Sequence, residues 1–205
     1  MRQALLLALL LLAGCGNTTT TRIVVVTATP RPNTNPAAFA LRLSDVPSEF
    51  IEVAARFHSS SEVASSEHVS LSALRQHGRI TSYETQFVQH SVNDGMLAID
   101  DVVSSWRTVS GADWDYHRVV GSVLHAPVRK VDVSYLLAPS LGEERTALSF
   151  RNSNQASNLT DYAVIFRRGT YRVYLQVVAV AGTVGGEDVL HLARVIDRRL
   201  QEGRS

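Results

Sequence analysis

The chain has 205 residues, 45% of them hydrophobic and 19% charged, with 20 Lys+Arg against 19 Asp+Glu and a single cysteine. A net charge of +1 offers no global field to hold nucleic acid or an anionic membrane surface, and the apolar content excludes wholesale disorder. One cysteine closes no internal disulfide and builds no multi-thiolate zinc site, and the length suits one domain of roughly 150 residues plus accessory sequence.

Residues Met1 to Cys15 read MRQALLLALLLLAGC, with one positive charge at Arg2 and an unbroken apolar run from Ala4 to Ala13. That run matches the roughly 7 to 15 residues of a signal-peptide core and falls short of the ~20 that span a bilayer as a helix. The segment Leu12-Ala13-Gly14-Cys15 resembles the lipobox of bacterial lipoproteins. The resemblance implies a signal peptide over residues 1–14, cleaved before Cys15, and a diacylglycerol on the Cys15 sulfur. At ~0.8 kcal/mol per buried CH₂, two or three acyl chains hold a protein on a membrane almost permanently. The expected location is the extracytoplasmic face of a cell membrane, with inner or outer left open. Removal of Met1 to Gly14 takes Arg2 away and leaves 19 basic against 19 acidic side chains, so attachment is expected to be lipid-driven and to resist salt. Residues 15–38, rich in Thr, Pro and Asn, read as an extended tether. Within it, Ile23 to Val26 suits either an edge strand or packing near the membrane.

Residues 39–202 read as one domain, with 203–205 a tail. LRLSDVPSEF is a short strand or coil broken by Pro47, and Ser61 to His77 is compatible with one helix, ended by Gly78 in the left-handed region. Tyr83 to Gln89 alternates as a half-buried strand. Ile99, Val102, Val103, Trp106 and Val109 share one helical face behind Asp100 and Asp101, which predicts a helix. Gly111 is expected to interrupt it, and Ala112 to Leu124 to form a second helical piece. After Pro127 the texture predicts strands at Val131 to Leu137, Thr146 to Phe150, Asp161 to Phe166 and Tyr171 to Val180, joined as an antiparallel meander. Glu187 to Leu200 then places Val189, Leu192, Ala193, Ile196 and Leu200 on one face of a closing helix. The expected class is α+β, an antiparallel sheet with helices packed on one face.

The start Asp45-Val46-Pro47-Ser48-Glu49-Phe50, the late hairpin VIFRRGTYRVYLQV and the C-terminal helix resemble small bacterial lipoproteins, some of them similar to the PsbP/Mog1-like fold. That resemblance implies a binding or assembly module rather than an enzyme and carries no functional residue with it.

Motifs for chemistry are sparse. G-x-S-x-G is absent, and Lys130 is the only lysine, with Pro127 three residues before it, so S-x-x-K is absent as well. None of the seven histidines stands in H-x-x-x-H or H-x-H spacing. Asp113, Asp115 and His117 come nearest to a ligand set, and Asp113 and His117 suit an i,i+4 surface pair equally well. The loop from Gly182 to Gly186 joins strand to helix, but Glu187 and Asp188 follow at once and repel phosphate.

The candidate partner surface is the run from Phe166 to Tyr174. Alternation puts Arg172, Tyr174 and Gln176 on one face and Tyr171, Val173 and Leu175 on the other. Arg167, Arg168, Arg172 and Tyr174 together suggest a cationic, aromatic patch for an envelope protein, a glycan or a lipid headgroup. The same run also suits a hairpin whose arginines protect a sheet edge. The resulting expectation is a lipid-anchored extracytoplasmic binding or scaffolding protein, non-enzymatic, needing no metal, cofactor or nucleic acid. Two alternatives stay open. One is a carrier of a hydrophobic or anionic ligand in a helix–sheet pocket near Trp106 and Trp114. The other is an envelope hydrolase with a dispersed Ser/His/Asp site.

Overall fold

The computed structural model describes residues 35–90, 95–125, 130–152 and 158–203. The leader, Cys15 and the Ile23 to Val26 segment lie outside these residues. Two 3₁₀ turns, Pro36–Ala38 and Leu43–Asp45, lead into β1 (Phe50–His58), α1 (Ser60–Ser66), α2 (Leu71–Gln76), β2 (Arg79–Gln89), β3 (Met96–Trp106) and α3 (Val109–Leu124). Then follow β4 (Lys130–Tyr135), β5 (Glu144–Asn152), β6 (Leu159–Arg168), β7 (Tyr171–Val180) and α4 (Gly186–Glu202). The class is α+β, as the composition of the segments implies. Pro36, counted with the tether by its composition, is already buried.

The seven strands form one sheet in the order β1-β2-β3-β7-β6-β5-β4, antiparallel at every pairing. The first three strands form one meander and the last four another. Helix α3 carries the chain from the centre of the sheet to its far edge, and the second meander works back until β7 pairs with β3. This return makes β6 and β7 interior strands, and both of their faces are covered.

One face is the main core. Ile99 and Val103 of β3, Val164 and Phe166 of β6, and Val173, Leu175 and Val177 of β7 meet the apolar stripe of α4, including Val189, Leu192, Ala193, Ile196 and Leu200. The N-terminal segment adds Phe39, Leu41, Val46 and Phe50 to the same cluster. The opposite face takes α3, whose Tyr116 and Val119 pack on Ile165. It also takes α1 and α2, whose Val63 and Leu74 close on Trp106 and Ala112. The helices therefore divide between the two faces of the sheet rather than sharing one, because β6 carries buried apolar side chains on both, Val164 and Phe166 on one and Ile165 on the other.

Local expectations are corrected in four places. The single helix over 61–77 is two short ones, each started by a serine: Ser59 accepts from Glu62 N and Ser70 from Ala73 N. His68, between them, has φ 52°, which no helix continues through. Gly78 does adopt the expected left-handed φ, at 77°. The segment from Ile99 to Val109 is mostly strand β3 rather than helix, and α3 begins only at Val109. Gly111 does not interrupt α3 but lies inside it, buried. The remaining difference is β1, an edge strand where the sequence pattern assigns none.

Candidate functional site

The face opposite α4 carries unusual residues for a sheet interior. Cross-strand pairing lines up Ser104 with Arg172, Val102 with Tyr174 and Asp100 with Gln176 between β3 and β7. Between β2 and β3 it lines up Ser82 with Ser104, Glu84 with Val102 and Gln86 with Asp100. Polar side chains alternate with the apolar core residues of the other face, as the two-residue period of a strand requires. The covering helices do not close this face completely. A cavity of about 320 Å³ remains between the turn after α1, helix α3 and the strands, with Glu67, Arg118, Val119, Val123, Arg172 and Tyr174 among its walls.

Its charge comes from an internal network. Asp115 of α3 is 1% exposed and accepts from two arginines: Arg118 Nη2 reaches Oδ1 at 2.6 Å and Arg172 Nε reaches Oδ2 at 2.8 Å. Arg118 also pairs with Glu67 and lies over the Trp114 ring, 5.7 Å from its centroid. Trp114 in turn stacks on His77, 4.1 Å between centroids. Burial pushes the Asp115 carboxyl up, but Arg172 and Arg118 outweigh it and hold the group below its ordinary value. Arg79, buried nearby, donates to Ser60 Oγ, Ser82 Oγ and His58 O. Burial, then the charge of Arg172, lowers its pKa to about 10, which still leaves it cationic near neutrality. Three guanidinium groups thus stand against two carboxylates, Asp115 and Glu67, and of these five groups Arg118, Arg172 and Glu67 line the cavity.

Arg172 decides what that charge can do. It is 3% exposed, yet only its Nε is bonded, and its Nη amino groups donate no hydrogen bond to the described residues. An anion entering the cavity meets a planar donor already held in place by Asp115. Val102, Val119, Val123 and the Tyr174 ring supply an apolar wall beside it. Burial, then the Asp100 charge, raises the Tyr174 phenol, which stays neutral and donates to Gln176 Oε1 at 3.0 Å.

The cationic surface expected of Arg167, Arg168, Arg172 and Tyr174 is not formed. Arg167 donates to Glu144 at 2.6 Å and to Glu143, and Arg168 binds Asp197 of α4 on the other face. Arg172 points inward to Asp115. The physical reason is the strand order, which makes β6 and β7 central instead of an edge hairpin. Arg172 and Tyr174 do share a face as alternation predicts, and both line the cavity. Asp113 and His117 also separate from Asp115. They lie on the outer side of α3, where His117 Nε2 is 3.6 Å from Asp113 and 3.4 Å from Glu144. These three offer ligand-type atoms within 4.8 Å of one another, but Arg167 already bonds Glu144 and sits 3.8 Å from Asp113. Arg167 thus draws both carboxylates into its own ion pairs. Arg118, Glu67 and Val123 are the site residues that sequence reasoning missed. Arg118, three residues after Asp115 and four after Trp114, was the one local signal of them.

No family model matches the chain, and no curated protein is similar to it. Solved structures do match. One similar structure is the extracellular domain of PknH from Mycobacterium tuberculosis, at 8% identity and a TM-score of 0.58, with 83% of this chain and all of that domain covered. At this identity the likeness concerns the fold alone. Among the described residues, no helix is long and apolar enough to cross a membrane.

Proposed function

We propose that the chain is a lipid-anchored, extracytoplasmic ligand-binding protein that holds an anionic, partly apolar small molecule in the cavity between α3 and the sheet. The observation that carries this reading is Arg172: a guanidinium fixed by Asp115, its amino groups donating to no described residue, in the lining of a cavity where Val102, Val119, Val123 and the Tyr174 ring supply an apolar wall. A cavity of some 300 Å³ with a few converging polar groups is the usual form of a small-molecule site. The scaffolding role expected from the sequence relied on a cationic face, and those arginines are spent on internal carboxylates. The lipobox at Cys15 supports a location outside the cytoplasm, as does the description of the similar structure as an extracellular domain. No bond is made or broken in this function; the site selects and holds.

Calorimetric titration with undecanoate, an anion on an apolar chain, tests the reading on the full chain carrying Cys15→Ser to keep detergent out. Binding is expected, and Val123→Trp, which fills the cavity without touching the charge network, should weaken it at least tenfold. Arg172→Gln should do the same, since a hydrogen bond to a charged group is worth roughly 1.5 to 3 kcal/mol. Undecanoate binding that survives both substitutions sinks the proposal.

A further inference from the structure

The open face continues past the anion cavity. Val102 with Tyr174, then Asp100 with Gln176, are successive rungs on one side of the β3–β7 pair. A second cavity of about 270 Å³ lies over the second rung, lined by Val53, Gln86, Asp100, Gln176 and Val178. The character of the wall reverses there. Glu84, opposite Val102, is engaged by Arg56, His58 and Gln86. Asp100 Oδ1, by contrast, is buried with no hydrogen-bond partner among the described residues. A buried carboxylate oxygen without a donor is costly in a native fold and needs an account. Burial, then the charge of Glu84, moves its pKa up to about 6 against the pull of the Gln86 side chain and the His58 and Arg56 charges, so the group is an anion near neutrality. Beside it, Gln176 uses its carbonyl to accept from Tyr174, and its amide N–H₂ donates to no described residue.

From end to end the two cavities therefore present the guanidinium groups of Arg118 and Arg172, an apolar middle at Val102 and Tyr174, and a carboxylate oxygen without a donor at Asp100. At ~3.4 Å per residue, Arg172 and Gln176 stand about 14 Å apart along β7. We infer that the two cavities form one trough for a bipolar ligand, its anionic end at Arg118 and Arg172 and its ammonium end at Asp100. A short peptide with free termini has this chemistry, as does any ω-amino acid of that length. The inference rests on the anion-cavity reading and adds the second charge.

Undecanoate and ω-aminoundecanoate differ only in the terminal ammonium, and the extended length of the second matches the trough. Both are titrated into the full chain carrying Cys15→Ser, with and without Asp100→Asn. The substitution should weaken ω-aminoundecanoate roughly ten- to hundredfold, the worth of a charged hydrogen bond, and leave undecanoate within about twofold. Unchanged undecanoate affinity also shows that the variant is folded. If undecanoate binds but Asp100→Asn affects both probes alike or neither, the second subsite is refuted and the anion cavity stands. The second subsite is equally refuted if wild type binds undecanoate and rejects the amino form. If neither probe binds wild type, both readings fall.

Discussion

Asp101 is fully buried on the α4 face of β3, where its Oδ2 accepts from Leu41 N at 2.9 Å and its Oδ1 has no partner among the described residues. Burial raises its pKa to about 7; the Leu41 bond pulls it down, Asp100 pushes it up, and Arg199 and Thr85 pull it down again. Since the folded value lies above the ordinary 3.8, the folded chain holds more protons than the unfolded chain between about pH 4 and 7. Stability contributed by this group is therefore complete in acid and is lost as pH rises through that window. Asp100, raised for the same first reason, adds to the slope with the same sign. Asn at 101 keeps an acceptor for Leu41 N and cannot ionise. Asp101→Asn should accordingly melt higher than wild type at pH 8, by at least ~2–4 °C for each kcal/mol relieved in a domain of this size, and the gap should close by pH 4. Melting curves across that range check it, and a lower midpoint for the variant at pH 8 would show that the ionised carboxylate is needed.

Helix α3 depends on one close approach. A Cβ at Gly111 would stand 2.1 Å from the His77 carbonyl oxygen, at the end of α2, and 3.2 Å from the Trp106 ring. Gly121, ten residues further along the same helix, has nothing within 4 Å. Gly to Ala inside a helix ordinarily gains up to ~1 kcal/mol. Gly121→Ala should gain about that, whereas Gly111→Ala must push α3 off α2 and lose roughly 1–3 kcal/mol net. Urea unfolding of the two variants reads the contrast directly, and equal effects would mean that the α2–α3 contact yields freely. The helices α3 and α4, with the strands beside them, also show what the sequence reveals and what it hides. The α4 stripe of Val189, Leu192, Ala193, Ile196 and Leu200 is buried as its spacing predicts, because one face of α4 meets an apolar core and the other meets water. β3 is illegible as a strand because each of its faces mixes apolar with polar residues: Ile99, Asp101 and Val103 on one, Asp100, Val102 and Ser104 on the other. β1 fails for the opposite reason, being mostly exposed along its length. The site was half legible. Alternation placed Arg172 beside Tyr174, but the partner that turns Arg172 inward, Asp115, is 57 residues away and leaves no local pattern.

At the scale of the molecule, the chain's entry into the domain is part of the core rather than an appendage to it. Residues 31–205 form one compact unit, and the segment before β1 is held within it from two sides. Arg199 of α4 donates to Ala40 O at 2.6 Å and to Asp45 at 2.7 Å, while Asp101 of β3 holds Leu41 N. Phe39 packs edge-on against Tyr171, 5.0 Å between centroids, and Leu41 and Val46 join the α4 cluster. Full burial of such side chains is worth about 1.5–3 kcal/mol each, so Phe39, Leu41 and Val46 together supply an amount comparable to the ~5–15 kcal/mol by which whole domains are stable. Their removal would also leave the Arg199 guanidinium and the Asp101 carboxylate without the partners they now hold. A chain beginning at residue 31 should therefore unfold cooperatively at the temperature of the full chain. One beginning at residue 48, although it keeps every strand and helix α1 to α4, should show no cooperative transition by circular dichroism. A sharp melt of the shorter chain at the longer chain's midpoint would show that the domain proper starts at β1 and that residues 36–47 only lie against it.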